Sequence, residues 1–284
     1  MINHLVIVGV GSIGASLGLA LRREGFVKKV TGVGRGLENL KVAQQRGAID
    51  EYSTDAASAV ANADMVFLAV PMGTMRATLQ SIKDSLPANA IVTDGGSTKG
   101  SVIKDFAEVF GSTEQFVPGH PIAGTEKSGA AAAIHDLYKN RRVLLTPDAE
   151  TNAGALKLVR EMWQVTGAKV EEMSAEHHDT VLAATSHLPH MLAFGLVDSL
   201  AKMEDVDEIF KYAAGGFRDF TRIASSDPTM WRDICVNNRD ALMSSMERYL
   251  DDMKEIYAAV DKGDADKLQE IFSTAKSTRD KFCG

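Results

Sequence analysis

The chain has 284 residues, 45% of them hydrophobic and 24% charged, with a formal net charge of -7. That length accommodates two domains, and the composition is that of a globular protein, not a disordered one. An acidic balance with its charges spread along the chain argues against nucleic acid as a general partner. The first predicted strand, residues 4–8, runs into Gly9-Val10-Gly11-Ser12-Ile13-Gly14. A helix follows, with Ile13, Leu17, Ala20 and Leu21 on one face and Gly25 at its end. A second strand is expected at 30–33, then a helix through Leu40 and Val42 that stops at Gly47. Residues 65–70 form a third strand closed by Pro71, 75–86 a helix and 90–93 another strand. Strands at 142–146 and 169–173 flank a helix over 152–166.

Past residue 174 no strand is expected, and helical periodicity covers 176–202, 205–213, 231–260 and 264–281. The third of these spans about 30 residues, or about 45 Å of helix. Its apolar set, from Ile234 and Leu242 to Tyr257 and Val260, is broader than a lone surface helix presents and suits burial against a second subunit. The predicted architecture is α/β: a Rossmann-type doubly wound parallel sheet over 1–173, then an all-α region over 174–284 for substrate binding and dimerisation. No uninterrupted apolar run approaches the roughly 20 residues of a membrane span, and no basic segment precedes residues 5–10 as a signal peptide requires. Cys235 and Cys283 read as free thiols of a reducing compartment. A cytoplasmic protein with no membrane partner is the expectation.

The glycine turn stands where a dinucleotide site needs it, after a strand and opening a helix. Gly9 permits the tight turn, Gly11 lets a pyrophosphate approach the backbone, and Gly14 lets the helix pack on the strand. The helix N-terminus, Ser12 and Ile13 included, offers free N–H groups to phosphate. Val70 and Pro71, closing the third strand, are further cofactor candidates. Where a ribose-binding carboxylate is expected, this chain has Gly34 followed by Arg35. A missing carboxylate and a nearby guanidinium favour NADP over NAD.

Four further segments are Thr93-Asp94-Gly95-Gly96-Ser97-Thr98-Lys99, Gly119-His120-Pro121-Ile122-Ala123-Gly124-Thr125-Glu126, Ser186-His187-Leu188-Pro189-His190, and Gly215-Gly216-Phe217-Arg218-Asp219-Phe220-Thr221-Arg222, the last trailed by Ser225, Asp227, Pro228 and Trp231. Together, and in this order, they resemble the prephenate/arogenate (cyclohexadienyl) dehydrogenase family over nearly the whole chain. The resemblance implies oxidative decarboxylation of a cyclohexadienol carrying two carboxylates, with hydride passing to NAD(P)+, in tyrosine biosynthesis. It implies His120, in a turn beyond a strand, as the base; an unperturbed imidazole pKa of about 6.5 suits that task and puts the acidic limb of kcat near about 6–7. Ser97 would bond the reacting hydroxyl and the nicotinamide. Arg222 would grip a substrate carboxylate through its planar fork, with Asp219 orienting it. Gly215, Ser186, His190 and Trp231 match other pocket positions, and Thr125 and Glu126 its rim.

His187 and His190 have a spacing seen in metal ligands, but no third ligand lies near in sequence and hydride transfer needs none, so no metal is expected. His177 and His178, adjacent on a helix, read as a solvated face. Because the chain opens on its first strand and closes in the helical region, neither a fused chorismate mutase nor an appended regulatory module is expected. Two rival readings are a β-hydroxyacid dehydrogenase of the 3-hydroxyisobutyrate type, whose catalytic lysine has no counterpart here, and a non-catalytic NAD(P) sensor.

Overall fold

Along the first strand, alternate residues supply two different cores. Leu5 and Ile7 join one, with Leu17, Leu21 and Leu40; Val6 and Val8 join the other, with Leu79, Ile82, Val102 and Phe106. A strand apolar on both faces must be covered by helices on both. The structure, a computed structural model, describes residues 1–124 and 127–283. Thr125, Glu126 and the thiol of Cys283 lie outside the described residues.

The strands are β1 Ile2–Val8, β2 Val27–Val33, β3 Glu51–Ser53, β4 Met65–Leu68, β5 Ile91–Asp94, β6 Phe116–Val117, β7 Gly119–Pro121, β8 Arg142–Leu145 and β9 Lys169–Glu172. The first six form a parallel sheet in the order β3-β2-β1-β4-β5-β6, the doubly wound dinucleotide-binding arrangement. A second sheet holds β7 antiparallel to β8, with β9 parallel to β8. Pro118, with no N–H for a ladder, separates β6 from β7 and marks the step between sheets. Three strands, β3, β6 and β7, are absent from the sequence reading because two or three residues carry no periodicity. His120 accordingly lies on a strand, not in a turn.

After β9 every element among the described residues is helical. The expected helix over 176–202 is interrupted: helices Ala175–Leu182 and Leu188–Ala201 flank a π-helical turn, Ala183–His187. Pro189 causes this, because it cannot donate to the carbonyl four residues back and its ring crowds that carbonyl, so the turn before it widens. The whole run Ala175–Ala201 is long and apolar enough to cross a membrane by length and composition, with a mean hydropathy of 1.3 over its best window. It nevertheless carries buried His178, Asp179 and His187.

The expected helix over 231–260 is two helices, Pro228–Asn237 and Arg239–Lys262. Asn238 leaves helical geometry, and its side-chain amide donates to the Asp179 carbonyl and to His187 Nδ1, both at 2.9 Å. Compact packing divides the chain into Met1–Arg239 and Asp240–Gly284. In the latter, the long helix turns at Gly263, whose φ of +63° suits glycine, into the helix Ala265–Cys283. Lys267 pairs with Glu255 across that hairpin at 2.9 Å.

Candidate active site

The glycine turn behaves as its spacing implies. Gly9 has φ +96°, and a Cβ there would lie 2.3 Å from the Ala69 carbonyl oxygen. At Gly14 a Cβ would meet the Gly9 oxygen at 2.4 Å, whereas at Gly11 it would meet nothing. Two glycines are thus needed for packing, and the third keeps the backbone open toward a ligand. Beside the turn is a cleft of about 600 Å³ that brings together Gly9, Gly11, Gly34, Arg35, Val70 and Pro71. Ser12 and Ile13 open the helix Ser12–Arg23, and the Ile13 carbonyl accepts the Tyr138 hydroxyl at 2.6 Å. An open backbone approach, a helix N-terminus and an exposed arginine fit a phosphate-bearing dinucleotide.

A buried ion pair ties the next two segments together. Asp94, at the end of β5, accepts from Lys99 Nζ at 2.5 Å, and both side chains are fully buried. One oxygen of Asp94 also accepts from the Gly96 N–H at 2.8 Å and the other from the Gly119 N–H at 3.0 Å. Lys99 Nζ donates in addition to the Gly119 carbonyl at 2.7 Å. The neighbours of these glycines are Ser97 and His120, so one carboxylate holds both segments in register. Burial lowers the Lys99 pKa, against the pull of Asp94.

His120 is half-buried, and its Nδ1 lies 2.9 Å from Nε2 of His178. His178 Nδ1 is 2.8 Å from Oδ1 of Asp179. Asp179 also accepts the backbone N–H groups of Lys99 and Gly100, each at 2.8 Å, and so caps the helix Gly100–Phe110 from another element. Burial opposes ionisation of Asp179, but these bonds outweigh it and hold the carboxyl below its usual range. Burial, reinforced by His178, Lys99 and His187, holds His120 well below the ordinary imidazole range. In the ligand-free protein this places His120 below the ordinary imidazole value of about 6.5.

The reading of His177 and His178 as a solvated face holds for His177 only, which is exposed. His178 is wholly buried, as a residue 100° around the same helix can be. A signal was present: His178 stands four residues before Leu182 and Asp179 four before Ala183, all four buried.

The π-helical turn presents the third segment. His190 Nδ1 donates to the Ser186 carbonyl at 2.8 Å, and its ring stacks on Trp231 with centroids 3.6 Å apart. His187 meets the same indole edge-on, and burial brings its pKa to about 4. Trp231 is buried, with no partner for its indole N–H among the described residues. Arg222 begins the short 3-10 turn Arg222–Ser225, which packs against the helix bearing His190, and its charge helps depress the His190 pKa, after burial.

Gly215 opens the helix Gly215–Thr221 and is exposed. Among the described residues no ion pair joins Asp219 to Arg222. Thr221 is the buried residue of that helix, and a position two residues away faces elsewhere; Asp219 is exposed.

Sheet order, glycine turn and a cleft at its mouth, with neutral imidazoles gathered on adjoining elements, define a nicotinamide-dependent dehydrogenase. Comparison with known proteins narrows the class. Residues 17–172 match the family model described as prephenate dehydrogenase, nucleotide-binding domain, and residues 174–274 the one described as prephenate dehydrogenase, dimerization domain. The chain belongs to the prephenate dehydrogenase family. It is 36% identical to the prephenate dehydrogenase of Bacillus subtilis, over 99% of this chain and 76% of that one. It is also 36% identical to the cyclohexadienyl dehydrogenase of Zymomonas mobilis, over 98% of this chain and 95% of that one. A solved prephenate dehydrogenase from A. aeolicus, in complex with hydroxyphenyl propionate and NAD+, superposes with a TM-score of 0.92 at 39% identity, covering 99% of this chain and 98% of that one. The chain is thus a dehydrogenase of tyrosine biosynthesis that uses a nicotinamide cofactor, and both rival readings are set aside.

Proposed function

We propose that the chain oxidatively decarboxylates prephenate, arogenate or both, with His120 as the base and with NADP+ bound at least as well as NAD+. The observation that carries this reading is the joint tethering of the Ser97 and His120 segments by Asp94. A nicotinamide dinucleotide held by Gly9, Gly11 and Arg35 would supply the acceptor for the hydride on C4 of the substrate ring. As the hydride leaves, His120 accepts the hydroxyl proton; it returns that proton to the ring oxygen once CO2 departs and the ring becomes aromatic, so no net proton is consumed. Ser97 holds the hydroxyl within reach. Arg222 receives a carboxylate, while Ser186, His190, Trp231 and Gly215 bound the rest of the substrate. Arg35 lines the cofactor cleft and makes no ion pair among the described residues, leaving its guanidinium available to a 2′-phosphate.

The reading is tested by the absorbance of reduced nicotinamide with each substrate and each cofactor in turn. Turnover of neither substrate would overturn it.

The same reading includes a homodimer through the C-terminal helices. In the helix Leu188–Ala201 only Ala193 is buried, and Val236, Tyr257 and Val260 are 69%, 73% and 61% exposed. Apolar surface of that extent suits a second copy. Sedimentation of a single-chain species at micromolar concentration would refute it.

A further inference from the structure

We propose that His178 is a positioning residue for the base: held by Asp179, it fixes His120 as the tautomer that carries its proton on Nδ1 and presents a bare Nε2 to the substrate. The inference rests on the reading of His120 as the base, and on which groups in the chain can donate. Asp179 is a carboxylate and can only accept. Its Oδ1 lies 2.8 Å from His178 Nδ1, so that nitrogen carries a proton. A neutral His178 then has its lone pair on Nε2. The atom 2.9 Å from that lone pair is Nδ1 of His120, which must therefore donate. The only lone pair left on His120 is on Nε2.

The groups facing these imidazoles pull both ways on His178, where Asp179 and Asp94 favour a charge and burial and Lys99 oppose it and prevail. Lys99, backed by Asp94, stands near both imidazoles and disfavours a second positive charge on either, as does His187 toward His120. Burial keeps His178 neutral against the pull of Asp179. Asp179 itself is stabilised as an anion by two N–H groups at a helix N-terminus.

The same chain acts during turnover. As the substrate O–H bond breaks and an N–H bond forms at Nε2, His120 becomes an imidazolium. Its Nδ1–H bond to His178 becomes charge-assisted, and the Asp179 anion lies one ring further on. When the proton returns to the ring oxygen, the resting tautomer is restored. Asp179 also receives the Asn238 amide on its main-chain carbonyl, and Asn238 donates to His187 Nδ1. The break in the predicted long helix thus buttresses the relay.

Two-bond proton–nitrogen correlations on histidine-labelled full-length enzyme read the tautomer directly, without turnover and without a variant. The expected result is a protonated Nδ1 and a pyridine-like Nε2 for His120; a protonated Nε2 would overturn the proposal. The kinetic arm compares His178→Gln, whose amide oxygen can still accept from Nδ1, with His178→Leu, which cannot. His178→Leu should lower kcat about tenfold to a hundredfold, the cost of a misplaced reacting group. The KM for cofactor should not move, and His178→Gln should recover most of the loss. Equal kcat for His178→Leu and wild type, or equal losses in both variants, would also overturn it. Failure of the underlying base assignment looks different: His120→Asn would keep its kcat while the wild-type tautomer stayed as described.

Discussion

Replacing Lys99 by Met removes the ammonium that pairs with a fully buried carboxylate. Asp94 would keep its bonds from the Gly96 and Gly119 N–H groups but lose the ammonium. Breaking a buried pair by deleting one partner costs about 3–5 kcal/mol, because the other charge is left uncompensated. For a chain of this size that corresponds to a fall in Tm of roughly 6–20 °C. Activity should fall as well, since the same carboxylate sets the Ser97 segment against the His120 strand; a misplacement of about 1 Å costs about a hundredfold in kcat. Urea unfolding followed by the fluorescence of Trp163, which lies in the core beneath the main sheet, measures the first effect, and steady-state kinetics the second. Adding Asp94→Asn to Lys99→Met removes the stranded charge and should restore part of the stability, so the two changes should not add. A Lys99→Met enzyme within about 1 kcal/mol of wild type would show that Asp94 tolerates isolation and refute the reasoning.

Arg35→Ala should weaken NADP+ about tenfold or more, the worth of one charge-assisted contact, and leave NAD+ nearly unchanged; equal losses in titrations with both cofactors would mean that the arginine only packs. His120→Asn should lower kcat by about 10²–10⁴ with little change in KM. Arg222→Ala should chiefly raise KM, by an amount matching about 2–4 kcal/mol; a normal kcat in the first or a normal KM in the second contradicts the assigned role. His187, with a folded pKa of about 4 against 6.5 unfolded, binds fewer protons in the folded state between those values. Stability from this group is therefore lost as pH falls from 6.5 toward 4, by about 3 kcal/mol in all, and unfolding of His187→Gln should show a correspondingly flatter acid dependence.

The parts of this fold that were legible in the sequence are those set by local pattern. β1, β2, β4 and β5 show as apolar runs ended by Gly or Pro, and the glycine turn declares its helix. What escaped was set by partners distant in sequence. Asn238 continues an unbroken helical period, yet its side chain is drawn off by Asp179 and His187, and the helix ends there. His178 beside His177 looked like a polar face until the helix Ala175–Leu182 was packed with that residue inward. The role of Lys99 in joining two segments depends on Gly119, twenty residues away.

The four imidazoles His120, His178, His187 and His190 are all held below their ordinary range, with burial the first cause in each. On the proposed reading, the site therefore receives the substrate carboxylates without imidazolium charge at neutral pH, and that work falls to Arg222. The division is chemically required: a cationic His120 would attract a carboxylate but could take no proton. It also makes the pH dependence of the two kinetic parameters differ. The acidic limb of kcat/KM reports the free enzyme, where burial, His178, Lys99 and His187 all disfavour the imidazolium; that limb should lie well below the ordinary value of about 6.5. Bound substrate brings negative charge to the same pocket, which favours the imidazolium and raises the His120 pKa. The limb of kcat, which reports the complex, should thus lie at higher pH than that of kcat/KM. Coincident limbs would mean that Arg222 neutralises the substrate before His120 senses it, and a reversed order would remove His120 from the titration altogether.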